Sequence, residues 1–172
     1  MRQRLLTADM QLSAWLGGVK ESGCLRLLAV ILAHSGDSWF WLAGLGMLWW
    51  VGDDYWRFRA GVFLIGIVIT AVLVMLMKLT VRRERPEGDW GGFYRRTDPH
   101  SFPSGHAARS IALAVMALSL GPPWLGLVLL AWAPLVSLAR VALGVHYVSD
   151  VIIGGILGLL TGALSVYIVP IG

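Results

Sequence analysis

The chain has 172 residues, 57% of them hydrophobic and only 14% charged, with a net charge of +4. Soluble domains average about 25% charged residues, so a water-soluble globule is excluded and no polar domain remains to carry a nucleic-acid groove. A single cysteine, Cys24, excludes an internal disulfide framework and a cysteine-based metal cluster.

Met1 to Ser22 has neither a continuous apolar core nor a small-residue cleavage site, so no signal peptide is expected. Residues 4–19 place Leu5, Leu12, Trp15, Leu16 and Val19 on one helical face, with Arg4, Asp9, Gln11 and Lys20 off it. That spacing describes an amphipathic helix lying in the membrane interface, or a helix packed on a partner protein. Residues 24–34 form an apolar run too short to span alone, closed by His34-Ser35-Gly36-Asp37, a turn with Ser35 or Asp37 as helix N-cap. With residues 38–52 this run makes a first crossing, broken near Gly36. Trp39, Trp41, Trp49, Trp50 and Trp56 bracket it as an interfacial belt, where indole keeps its ring in apolar surroundings and its N–H near water.

Asp53 to Arg59 reads as a charged loop. Ala60 to Met77 is eighteen residues without a charge, roughly 27 Å of helix against a hydrocarbon core of about 30 Å. Residues 79–103 are the only long polar stretch, and a loop of that length in a compact chain is usually functional. A third crossing is expected from Gly105 to Leu120, a reversal at Gly121-Pro122-Pro123, a fourth crossing from Trp124 to Leu143, and a fifth from Val148 to Val169. In the fifth, Gly154, Gly155, Gly158 and Gly162 recur every three to four residues, which lets helices approach closely in lipid. The expected fold is an all-α membrane bundle of about five spanning helices plus the N-terminal interfacial helix.

Counting reversals brings one set of polar residues to a single membrane face: Lys78, Arg85, Ser104, His106, Arg140, His146 and Asp150. Cations near a membrane interior are costly unless they meet an anion, and the planar fork of arginine suits phosphate. Ser104-Gly105-His106 opens a helix, where free N–H groups favour an anion and Gly105 lets backbone come close. His146 and Asp150 are four residues apart, so a helix that has begun by then puts them on one face. A carboxylate on one imidazole nitrogen leaves the other as nucleophile. A second histidine, His106, can protonate a leaving oxygen. Carboxylates are otherwise scarce at this face, and Glu84, Glu87, Asp89 and Asp98 show no metal-ligand spacing.

Lys78, six residues, Arg85-Pro86; then Pro103-Ser104-Gly105-His106; then Arg140, five residues, His146, three residues, Asp150: this order and spacing resembles the three-part signature of the type 2 phosphatidic acid phosphatase (PAP2) superfamily. The resemblance covers the chain from about Ala60 onward, a catalytic core over residues 60–170, and leaves the interfacial segment 1–22 without a signature within a single domain of residues 1–172. It implies a lipid phosphatase needing no metal or other cofactor. His146 would attack phosphorus to give a phosphohistidine, and Asp150 would orient it. His106 would protonate the leaving group and then activate water. Lys78, Arg85, Ser104, Gly105 and Arg140 would hold the phosphoryl oxygens. One position departs: Ala139 stands where the family usually has serine, and Ser137 is two residues off.

The expected substrate is a phosphate or diphosphate monoester of a membrane lipid, of the undecaprenyl diphosphate, phosphatidic acid or phosphatidylglycerophosphate type. Transfer of the phosphoryl group to another lipid would use the same residues, and a non-catalytic lipid-phosphate binder or transporter is the reading from a different class. For location, the resemblance implies a bacterial-type inner membrane with the active face outside. The positive-inside rule points the other way, because Arg2, Arg4, Lys20, Arg26, Arg82, Arg83, Arg95 and Arg96 join the site cations on that face and only Arg57 and Arg59 oppose them.

Overall fold

The computed structural model describes residues 2–17, 23–87 and 98–169. Val19 and Lys20, and Asp89, Arg95 and Arg96 of the polar connection, lie outside the described residues. Among the described residues the chain is built of seven α-helices: α1 Arg2–Leu16, α2 Gly23–Ser35, α3 Ser38–Val51, α4 Asp54–Val81, α5 Gly105–Leu120, α6 Pro123–Ala142 and α7 Val148–Tyr167. Three of them, α4, α6 and α7, are long and apolar enough to cross a membrane. Large apolar side chains such as Val68, Met75, Leu127 and Leu160 lie exposed along their outer faces, which only a lipid environment tolerates at this density. The chain is a multi-pass membrane protein.

Helix α5 is the axis of the bundle. Its inner residues are mostly alanine, with Ala107, Ala108, Ala112 and Ala117 fully buried, so α4, α6 and α7 all pack close to it. The glycines of α7 form the matching groove. A Cβ at Gly154 would lie 2.5 Å from the carbonyl oxygen of Ser104, and one at Gly158 would lie 2.1 Å from that of Ala108. Only glycine permits that contact. Thr70 of α4 donates to Thr161 of α7 at 2.8 Å, a polar tie inside the bundle.

The first apolar block is broken where expected, at Gly36-Asp37, into α2 and α3. A break within a crossing must satisfy the backbone groups it frees. Trp41 Nε1 donates to the Ser35 carbonyl at 3.0 Å and Trp132 Nε1 to the Ser35 hydroxyl at 2.8 Å. Trp41 is therefore a strut at the break rather than part of a belt; Trp49 and Trp50 are exposed at the end of α3. Gly36 is needed here, since a Cβ would meet Val136 Cγ1 at 2.8 Å.

Residues 54–59 are helix rather than loop. Asp53 caps α4 by accepting from the Trp56 N–H at 2.9 Å, and Arg59 donates to the Leu120 and Tyr55 carbonyls, so its charge is absorbed at the helix end. Helix α1 lies against α6 and α7. Leu6, Met10, Leu12 and Trp15 are exposed, while Asp9 and Ser13 turn toward the bundle.

Candidate active site

The predicted site residues do converge on one end of the bundle. Lys78 comes from the last turn of α4, Ser104 caps α5 and accepts from the Ala107 N–H, and Arg140 comes from the last turn of α6. Beyond Arg140 the chain turns back through Gly144, whose φ of 66° is left-handed. The N–H groups of Val145 and His146 then both donate to the Arg140 carbonyl, at 3.2 and 3.3 Å. That reversal lays His146 against the cations. Asp150 follows one turn into α7, and its carbonyl accepts from the Ser104 N–H at 2.9 Å, tying the second signature segment to the third.

All six charged or polar groups are withdrawn from solvent: Lys78, Arg85, Ser104, Arg140, His146 and Asp150 are each at most 4% exposed. Arg85 Nη1 donates to the Val145 carbonyl at 2.9 Å and lies 3.2 Å from His146 Nε2. A guanidinium can only donate, so Nε2 offers its lone pair to the cation cluster and the ring proton resides on Nδ1. Burial, reinforced by the charges of Arg140, Arg85 and Lys78, holds the His146 imidazole well below the usual histidine range. It is neutral at neutral pH, the state a nucleophile requires. A cavity of about 390 Å³, lined by Met10, Ser13, Arg85, His146 and Tyr147 among others, opens beside this ring.

One predicted contact differs in the structure. His146 Nδ1 lies 3.6 Å from Asp150 Oδ2, an ion-pair distance beyond hydrogen-bond reach. The Asp150 oxygens are taken elsewhere: Oδ1 accepts from Arg83 at 2.8 Å and Oδ2 from the Tyr147 N–H at 2.9 Å. Ala139, the position that departs from the family, is 4% exposed. It packs with Ala29, Ala33, Leu143 and Val145 in the contact between α2 and α6, and Ser137 lines a separate apolar hollow with Ile111 and Leu138.

Several residues at the site escaped the sequence reading. Arg83, counted in the sequence among the basic residues of this face without an assigned partner, bridges Asp150 and Asp9, the latter at 2.7 Å. Asp9 also accepts from the Ser149 N–H at 3.0 Å, and Ser13 from the Val148 N–H at 3.0 Å, so α1 caps the start of α7 from outside. Burial raises the Asp9 carboxyl, but the hydrogen bonds from Ser149 and Arg83 outweigh it and hold the group below the usual carboxylate range. Asp98 occupies the anion position between Lys78 and Arg85, bonded to both. Arg109 folds back over Gly105, where a Cβ would lie 3.1 Å from its Nη1. The signal for Arg109 was present: a charge inside a sixteen-residue apolar helix. His106 Nε2 pairs with Asp37 Oδ1 at 2.7 Å.

The profile of the PAP2 superfamily matches residues 59–171. The chain belongs to that superfamily. Among curated proteins it is 34% identical over 154 residues to the undecaprenyl-diphosphatase of Sulfolobus acidocaldarius, covering 86% of this chain and 72% of that one. It is 39% identical over 101 residues to the decaprenylphosphoryl-5-phosphoribose phosphatase of Mycobacterium tuberculosis, covering 58% of this chain and 55% of that one. The chain thus spans little more than half the length of the mycobacterial relative. Among solved structures, the PAP2-type phosphatidylglycerolphosphate phosphatase of Bacillus subtilis superposes with a TM-score of 0.79 over 98% of this chain and 90% of its own, at 24% identity. LpxE of Aquifex aeolicus superposes with a TM-score of 0.74 over 91% and 93%, at 21% identity. These two structures share the fold of the PAP2 bundle.

Proposed function

We propose that this chain is an integral-membrane lipid phosphatase that hydrolyses a phosphate or diphosphate monoester through a phosphohistidine on His146. The observation that carries the reading is the 3.2 Å approach of Arg85 to His146 Nε2 within a buried group of cations. A neutral lone pair beside fixed positive charge suits attack on a phosphoryl group, whose oxygens the cations hold. Lys78, Arg85 and Arg140, with the Ser104 hydroxyl and the Gly105 N–H, bind those oxygens. His146 Nε2 forms the P–N bond as the P–O bond to the lipid breaks, and His106 gives its proton to the departing oxygen. Water then attacks phosphorus, His106 takes a proton from it, and the P–N bond breaks to release phosphate. Asp150 supports the charge that develops on His146.

The lipid part of the substrate belongs on the His106 side. An apolar groove of about 770 Å³ runs from His34 and Ser35 past Phe40, Leu45 and Phe63 toward Arg59, and it receives the hydrocarbon chain. Two relatives carry decaprenyl or undecaprenyl in their names, so a polyprenyl-linked phosphate is the first substrate to assay, with phosphatidic acid and phosphatidylglycerophosphate beside it. The active face looks outward from a bacterial-type inner membrane. Labelling of single cysteines in the 79–103 connection by a membrane-impermeant reagent in intact cells tests that orientation.

The test of function is phosphate release in detergent by the purified chain and by His146→Ala. The variant is expected to lose on the order of 10⁴-fold or more in rate. Turnover retained by His146→Ala overturns the mechanism, and absence of release by the unaltered chain from all three lipids overturns the assignment.

A further inference from the structure

The break between α2 and α3 brings an acidic side chain to the second histidine. His106 Nε2 lies 2.7 Å from Asp37 Oδ1, and His34 Nδ1 lies 2.9 Å from Asp37 Oδ2. The Cδ2–Nε2 edge of the His106 ring faces the break, since the Cβ position of Gly36 is 3.2 Å from Cδ2. The Nδ1 edge is therefore turned away from it. Asp37 belongs to none of the three signature segments and precedes the region that the superfamily profile matches.

We propose that Asp37 is the positioning residue for His106, holding Nε2–H so that Nδ1 serves as the acid and then the base of the reaction. This rests on the phosphatase reading above. In the first step the Nδ1 proton passes to the leaving oxygen as the P–O bond breaks, and the ring becomes neutral with its remaining proton on Nε2, bonded to Asp37. The Nδ1 lone pair is then in place to take a proton from the water that attacks the phosphohistidine. The carboxylate is needed because burial opposes the protonated ring, and the charges of Arg140 from α6 and Arg109 from its own helix add to that opposition, leaving the Asp37 contact as the group that favours it. His34, on the far oxygen of Asp37, fixes the carboxylate against rotation.

Asp37→Asn separates this from a structural role. With a lipid alkyl phosphate, whose alkoxide must be protonated to leave, kcat is expected to fall on the order of 10- to 100-fold with KM nearly unchanged. With p-nitrophenyl phosphate, whose phenolate leaves unaided, the first burst of nitrophenolate, which reports P–O cleavage before water attacks, is expected to slow by less than about threefold. The alkaline limb of the kcat profile should move to lower pH, because removing the carboxylate lets the acid lose its proton sooner. Asp37→Glu should recover part of the lipid activity. An equal loss in the P–O cleavage step on both substrates, or a change in KM alone, overturns the proposal. A second measurement needs no turnover: ¹⁵N shifts of the His106 ring, assigned with His106→Gln, should report the Nε2–H tautomer in the unaltered chain and a mixture in Asp37→Asn. Identical ring spectra in the two proteins overturn it as well. Release of no phosphate by the unaltered chain defeats the phosphatase reading, while the spectra still decide the Asp37–His106 pairing.

Discussion

The two histidines at the site are built differently, although each has an aspartate near it. His146 lies among Lys78, Arg85 and Arg140, with Asp150 held 3.6 Å away by its bonds to Arg83 and the Tyr147 N–H. His106 lies 2.7 Å from Asp37, in direct hydrogen-bond contact. Surrounding cations with a withheld carboxylate favour a neutral ring; a carboxylate in contact favours a charged one. Burial and cations oppose the charged form of both rings, and only His106 has a carboxylate in contact to favour it; under the proposed mechanism this makes His106 the proton donor and His146 the nucleophile.

The contrast breaks most severely at Arg85. Arg85→Gln should lower kcat/KM on the order of 100-fold or more, as loss of one donor to a developing oxyanion does. It should also move the acid limb of the pH profile upward. In the unaltered chain that limb is expected below pH 6.5, because burial and the neighbouring cations hold His146 well below the usual value. Removing a nearby positive charge lets the ring take a proton at higher pH, and a pH–rate series on both proteins reads the displacement. The same burial affects stability. Below about pH 6.5 the unfolded chain protonates this histidine and the folded chain does not, so stability declines as pH falls from there.

Arg83→Ala tests the withheld carboxylate. With its Arg83 bond gone, Asp150 is free to approach Nδ1, and Asp9 loses a partner too. Activity should fall about 10- to 100-fold, as with other groups that orient a reacting side chain. The detergent melting temperature should drop, since a carboxylate fully withdrawn from water loses its cation. Asp98→Asn probes the anion position: removing a carboxylate that competes for Lys78 and Arg85 should lower KM about threefold, a modest change because Asp98 is 37% exposed and screened by solvent. Ala139→Ser should change KM by less than about twofold, because that side chain is packed in the contact between α2 and α6.

Much of this arrangement was legible in the residues. Gly105 to Leu120 was bounded correctly because Ser104 and the Gly-Pro-Pro turn are local punctuation. The break at Gly36 was visible for the same reason. Convergence of Lys78, Ser104, Arg140 and His146 followed from alternating crossings, which leave little topological freedom. What was not legible depends on pairing across distance. Nothing at position 83 announces that its partners are Asp9 and Asp150, and nothing at position 37 points to His106. The first turns of α4 were mistaken for a loop because charge density was weighed above the N-cap at Asp53.

Helix α1 supplies oxygen acceptors to the first N–H groups of α7, the last described helix. A clasp between segments some 140 residues apart in the chain closes only after every intervening crossing has been laid down. Helical content and site integrity then report separate events. A protein whose clasp has opened would keep its circular dichroism while Arg83, Ser149 and Asp150 lost their register, so intact helicity after extraction from the membrane is no assurance of an assembled site.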